Sequence, residues 1–144
     1  MMTALEWARD ALAAIPGLAS CKIGLEANIS PASYPMIRLV PSRIVPGKPY
    51  GNRTAECFIY FGTQTTNSQG LEAVYANLFD LEAAILDVLK TLKGRYVETL
   101  TDEDRLDTYK LMAVRCELQT LELHAAAGVL ASQGSGVASS ADRA

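Results

Sequence analysis

Residues 71–93, LEAVYANLFDLEAAILDVLKTLK, form the longest unbroken helical pattern in the chain. Apolar side chains return at Leu71, Val74, Leu78, Leu81, Ile85, Val88, Leu89 and Leu92, the three-and-four spacing that lays one apolar stripe along a helix. Glu72, Asn77, Asp87 and Lys90 fall off that stripe. A capping box from Thr66 and Gln69, or Ser68 as N-cap, would start the helix, and Gly94 stands where a left-handed terminating residue belongs. At 1.5 Å of rise per residue the segment is roughly 34 Å long, so a broad surface has to cover the stripe.

On the N-terminal side the pattern first gives a shorter helix, then switches to period two. Ala4 to Ile15 puts Leu5, Ala8, Leu12 and Ile15 on one face, with Thr3 and Glu6 as a capping box and Pro16-Gly17 as the stop. Trp7 lies off that face, as a shoulder of the core or a contact for another subunit. Cys21, Ile23, Leu25, Ala27 and Ile29 then alternate with polar or small residues, the mark of a half-buried strand. After the turn at 30–33, Tyr34 to Val40 reads as a second strand bounded by Pro35 and Pro41. Thr54 to Gly62 is the clearest strand, apolar on both faces as an inner strand should be.

Between the last two strands, residues 41–53 (PSRIVPGKPYGNR) read as a loop rich in Pro, Gly and cations. No acidic residue occurs from Ala27 through Ala55, a window that holds Arg38, Arg43, Lys48 and Arg53. In a chain of formal charge −3 this makes the surface asymmetric, and the segment is either a solvated hairpin loop or an arm for an acidic partner, an adjacent copy or, least of the three with only four cations, passing DNA. Beyond the long helix come a short extended piece, Tyr96 to Leu100, an acidic turn with four carboxylates in residues 102–107, and a closing strand, Thr108 to Gln119, that would run on through Leu121 and Leu123. Of the 20 residues from Ala125 onward, 14 are Ala, Gly or Ser, too few apolar groups to order a tail on its own. The domain is therefore expected over 1–120, with 121–144 as an extension.

The fold class expected is α+β, a mostly antiparallel sheet of four strands with the long helix and the N-terminal helix packed on one face. A length of 144 residues suits one domain that needs neither disulfide nor metal. The acidic balance argues against a dedicated nucleic-acid binder, no apolar run is long enough to span a membrane, and Glu6 and Asp10 interrupt any N-terminal signal core. Cys21, Cys57 and Cys116 lack metal-ligand spacing and read as reduced thiols packed in strands. His124 is the only histidine, the glycines form no phosphate loop, and the acidic turn departs from an EF-hand. No catalytic, cofactor-binding or metal-ligating set is expected. Tyr34, Tyr50, Tyr60, Tyr96 and Arg38 could line a ligand cleft, which with an exposed sheet face would make a dimeric ligand-binding or regulatory module the alternative.

The order helix, strand, strand, basic loop, strand, long helix, strand, tail resembles the tail terminator (tail completion) family of long-tailed phages and prophages. The likeness rests on the short N-terminal helix, on Tyr34-Pro35-Met36-Ile37 as an aromatic-Pro-apolar strand start, on CFIYFG (57–62) running into the long helix, and on the closing strand YKLMAVRCELQ (109–119). It covers about residues 3–120. It implies a structural virion protein, made in the host cytoplasm and placed in the neck region. Six copies would form a ring on the tail tube protein, end tube growth and offer a dock for the head connector or head-closure protein, while DNA passes without specific binding. The family has no catalytic residues to carry over. The proline-rich basic loop and the C-terminal extension depart from its simplest members and leave another neck or head-tail joining protein of similar fold as an alternative. Under this resemblance the candidate subunit or partner interface is Arg38, Arg43, Lys48, Tyr50 and Arg53, with Asp102, Glu103, Asp104 and His124.

Overall fold

A computed structural model describes residues 1–64, 70–101 and 109–135, with 109 and 129–135 described by backbone alone. Its elements run α1 (Met2–Ala13), β1 (Ser20–Ile23), a 3-10 turn (Pro31–Ser33), β2 (Met36–Pro46), β3 (Arg53–Gln64), α2 (Leu71–Thr91), β4 (Arg95–Leu100), β5 (Tyr109–Gln119) and α3 (Thr120–Ser135). The α+β class holds. The sheet, however, has five strands in the order β1-β2-β3-β5-β4 and is mixed, because β1 runs parallel to β2 while the other neighbours are antiparallel. The piece that was expected only as an extended stretch after the long helix is a full edge strand, paired to β5.

Period-two alternation decides which face meets the helices. Ile37 and Leu39 of β2, Cys57, Ile59 and Phe61 of β3, and Met112, Val114, Cys116 and Leu118 of β5 form one buried cluster with Leu5, Ala8 and Leu12 of α1, Val74, Leu78, Ile85 and Leu89 of α2, and Leu123 of α3. The helices thus share one side of the sheet, and each fully buried aliphatic side chain there contributes about 2 kcal/mol before entropy is subtracted. The three thiols are free, and burial raises the Cys21 pKa to about 11 and that of Cys57 to about 12, as expected of packed, unreactive groups.

Several expected boundaries move, each for a local reason. The first strand stops at Ile23 instead of reaching Ile29, because Gly24 (φ +89°) turns the chain away from β2. Residues 25–35 then cross the sheet face opposite the helices as a strap. Residues 41–53 are mostly strand: β2 runs on to Pro46 and β3 starts at Arg53, so the loop shrinks to residues 47–52 at the tip of a long hairpin. A register shift between Pro41 and Arg43 absorbs the proline without ending the strand. The first helix begins at Met2 with no side-chain cap, so the Thr3–Glu6 box is not used as its start. The N-cap of α2 is Gly70, again without a side-chain bond, and Thr66, Ser68 and Gln69 lie outside the described residues. The last strand does not continue through Leu121 and Leu123, since α3 begins at Thr120 and carries the start of the expected unstructured extension against α1.

The C-terminus of α2 ends in a Schellman turn, with the Gly94 N–H donating to Leu89 O (2.9 Å) and the Lys93 N–H to Lys90 O (3.1 Å). The left-handed position is Lys93 (φ 56°), not Gly94 as its type suggested. Glycine is needed at 94 for room: a Cβ there would lie 2.8 Å from Leu118 Cδ2 and 3.1 Å from Leu89 Cδ2. Lys93→Gly is therefore expected to raise stability by about 0.5–1 kcal/mol, and Gly94→Ala to lower it by about 1–3 kcal/mol. Urea unfolding of the two variants checks both signs.

Candidate interaction site

The β2–β3 hairpin runs on past β1, which pairs only with Met36–Leu39, while its β3 strand stays paired to β5 as far as Thr54–Gln119, so the outer part of β2 and the tip form an arm carrying most of the basic residues singled out above. Its tip is ordered by one side chain. Asn52 is 3% exposed. Its Nδ2 donates to Lys48 O (3.0 Å) and Gln119 Oε1 (3.3 Å), and its Oδ1 accepts from Thr120 Oγ1 (3.0 Å) and from the Leu121 N–H (3.1 Å). Thr120 Oγ1 in turn accepts from the Arg53 N–H (2.9 Å). Asn52 thus satisfies a free N–H in the first turn of α3, a capping role delivered from a distant part of the chain. The tip is closed by Gly47 N–H to Asn52 O (2.8 Å) and Asn52 N–H to Pro49 O (2.9 Å).

The expected interface residues separate into three groups. Lys48, Tyr50 and Arg53 stand exposed on the arm, Tyr50 completely, and among the described residues neither Lys48 nor Arg53 has an ion-pair partner. Arg43 is also exposed, but its Nε holds Glu56 Oε2 at 2.6 Å across the hairpin. Arg38 is not a surface residue at all. It is fully buried on β2 beneath the strap, where Nε donates to Glu26 Oε1 (2.6 Å), Nη2 to Glu26 Oε2 (3.4 Å), and Nη1 to Ser20 Oγ (2.9 Å) and Ile37 O (2.9 Å). A charge out of water needs such a set of partners, so its role is to hold the strap rather than to meet another molecule. His124 is exposed on α3, with its ring edge-on to Trp7 at 4.6 Å, which makes Trp7 a shoulder between α1 and α3. Asp102, Glu103 and Asp104 lie outside the described residues.

Glu26 and Glu56, the two carboxylates flanking the acid-free window, are the ones that pair Arg38 and Arg43. Sequence reading missed both, together with Asn52, because cross-strand register and a crossing strap brought them in. The helix-free face continues in charged rows: Arg43, Glu56, Glu117 and Arg95 stand side by side on four strands, with Arg95 Nη2 2.8 Å from Glu117 Oε2. In the next row Arg115 holds Glu98 at 2.8 Å and lies over the Phe58 ring, 5.9 Å from its centroid. The Arg95 guanidinium keeps the Glu117 carboxyl below its ordinary value, as Arg38 does for Glu26.

Among the described residues no three His, Cys, Asp or Glu side chains gather as a metal site, and no helix is long and apolar enough to cross a membrane. The tyrosines of the supposed ligand cleft are dispersed: Tyr50 sits at the arm tip, Tyr96 on the β4 edge, and Tyr34 is buried at the end of the strap. Two apolar grooves of about 410 and 450 Å3 border α2, the larger lined by Trp7, Ala11, Ala14 and Val88. No family model matches the chain, and no curated protein matches it.

The Arg38–Glu26 pair generates a pH-dependent expectation. Because the Glu26 pKa is lowered in the folded state, its stabilisation is full above the ordinary carboxylate value and is lost as pH falls through the lowered one. Glu26→Gln should cost about 1–3 kcal/mol near pH 7, less than a fully buried pair because Glu26 is partly open to water. Urea titrations of both proteins should show this gap closing on acidification; a gap independent of pH would contradict the pairing.

Proposed function

We propose that the chain is a structural assembly protein of long-tailed phages or prophages, a tail terminator that works by contact and has no catalytic step. The observation that carries the reading is the arm: a hairpin locked at its tip by Asn52 and presenting Lys48, Arg53 and a fully exposed Tyr50. An ordered tip with an exposed aromatic and cations that have no ion-pair partner among the described residues is suited to binding a protein surface, since little conformational freedom is lost when it docks. The order of elements that resembles the family supports the same reading.

In this account the arm of one copy meets the acidic segment 102–107 of the next, and repetition of that head-to-tail contact closes a ring of about six copies. One rim of the ring sits on the tail tube protein and the other receives the head connector or head-closure protein, in the neck of the virion. DNA traverses the lumen, and the chain's mild negative charge keeps it from being held there. Arg43 contributes less than Lys48 and Arg53, because Glu56 already neutralises it.

Lys48→Glu together with Arg53→Glu should leave the far-UV circular dichroism spectrum unchanged and lower the occupancy of isolated tail-tube ends at least tenfold. Negative-stain counting of capped ends measures the effect. Capping that survives this reversal would sink the role given to the arm.

A further inference from the structure

We infer that the smaller groove beside α2 receives Tyr50 from the arm of a second copy of this chain, so that copies join head to tail. This rests on the proposed contact of the arm with an adjacent copy, and names the surface that takes its tip. The groove holds about 410 Å3, and every residue that lines it is a described one. Leu18, from the link after α1, and Leu81 and Ala84 of α2 give it apolar walls, while Asn77 and Asp80, both exposed, add polar groups. Among the described residues Asp80 has no ion-pair partner. Apolar walls with a few polar groups suit a tyrosine, whose ring seeks cover and whose hydroxyl seeks a hydrogen bond.

Charge and distance both point to a second copy. Helix α2 carries Glu72, Asp80, Glu82 and Asp87 against the single cation Lys90, whereas residues 41–53 hold Arg43, Lys48 and Arg53 and no carboxylate. Tyr50 is completely exposed at a tip closed by backbone bonds between Gly47 and Asn52 and between Asn52 and Pro49, so an ordered aromatic ring stands without cover. It cannot reach the groove of its own chain. Pro35, which lines the groove, immediately precedes β2, and the tip follows the other end of that 11-residue strand, roughly 35 Å away. A knob and its hole at opposite ends of one molecule make a heterologous contact, the kind that repeats into a ring or a filament. The groove also lies at the sheet end where β4 finishes at Leu100 and β5 starts at Tyr109, the end from which segment 102–107 springs.

Sedimentation velocity of the full chain should show species larger than a dimer as concentration rises. Tyr50→Ala, which removes the knob, and Ala84→Arg or Asp80→Lys, which obstruct the hole, should each weaken this assembly at least tenfold while circular dichroism stays unchanged. An equal mixture of Tyr50→Ala and Ala84→Arg should form a dimer and nothing larger, because one intact knob and one intact hole remain between them. An unmodified chain that stays monomeric up to about 1 mM, a mixture that does not pair, or a folded single variant that assembles as strongly as the unmodified chain overturns the inference. No tail tube takes part, so failure here leaves tube-end capping to be decided by Lys48→Glu with Arg53→Glu, and an unaltered count of capped ends there leaves the groove contact standing.

Discussion

Asn52 is the joint on which this molecule turns. One buried amide holds the hairpin tip through Lys48 O, the end of β5 through Gln119, and the first turn of α3 through the Leu121 N–H. Each of its bonds is made where a stray polar group would otherwise be costly, so deleting one partner leaves others unsatisfied. The joint decides where β5 stops, lets a helix begin in a segment of low apolar content, and gives the arm a fixed direction. Leu123 and the Trp7–His124 contact then seat α3 on α1.

The two faces of the sheet solve different problems. Toward the helices, alternating apolar residues from β2, β3 and β5 bury against the α1 and α2 stripes, and among the described residues the only buried polar or charged side chains are Arg38 and Asn52, which lie elsewhere. On the opposite face polar and charged residues satisfy each other across strands, in the sequence Arg43–Glu56 and Glu117–Arg95, then Arg115–Glu98. Exposed pairs of this kind add little stability, but they fix side chains in place and leave the face neutral rather than sticky. The exception is Arg38, buried below the strap, whose guanidinium commits Glu26 and Ser20 to one arrangement and keeps residues 25–35 on the sheet.

Most of the fold was legible because it follows from periodicity. The three-and-four stripe from Leu71 to Leu92 and the alternation through 54–62 and 109–119 placed α2, β3 and β5 with small errors at their ends. What failed was whatever depended on partners distant in sequence. Pro and Gly made 41–53 look like a loop, yet pairing with β3 carries β2 through to Pro46. The tail looked too poor in apolar groups to order itself, and it does not do so alone: Asn52 and α1 supply what α3 lacks. The candidate site was legible as a cluster of cations but not as individuals, since nothing in the sequence says that Arg38 points inward or that Glu56 closes on Arg43.

Arm and α3 are one mechanical unit through Asn52, which is what makes the arm a platform. Amide hydrogen exchange of the unmodified chain and of Asn52→Ala measures that coupling. The substitution is expected to speed exchange together in residues 47–53 and 121–126 and to leave the centres of β3 and β5 protected. Unchanged protection in either segment, or loss confined to one of them, would contradict it.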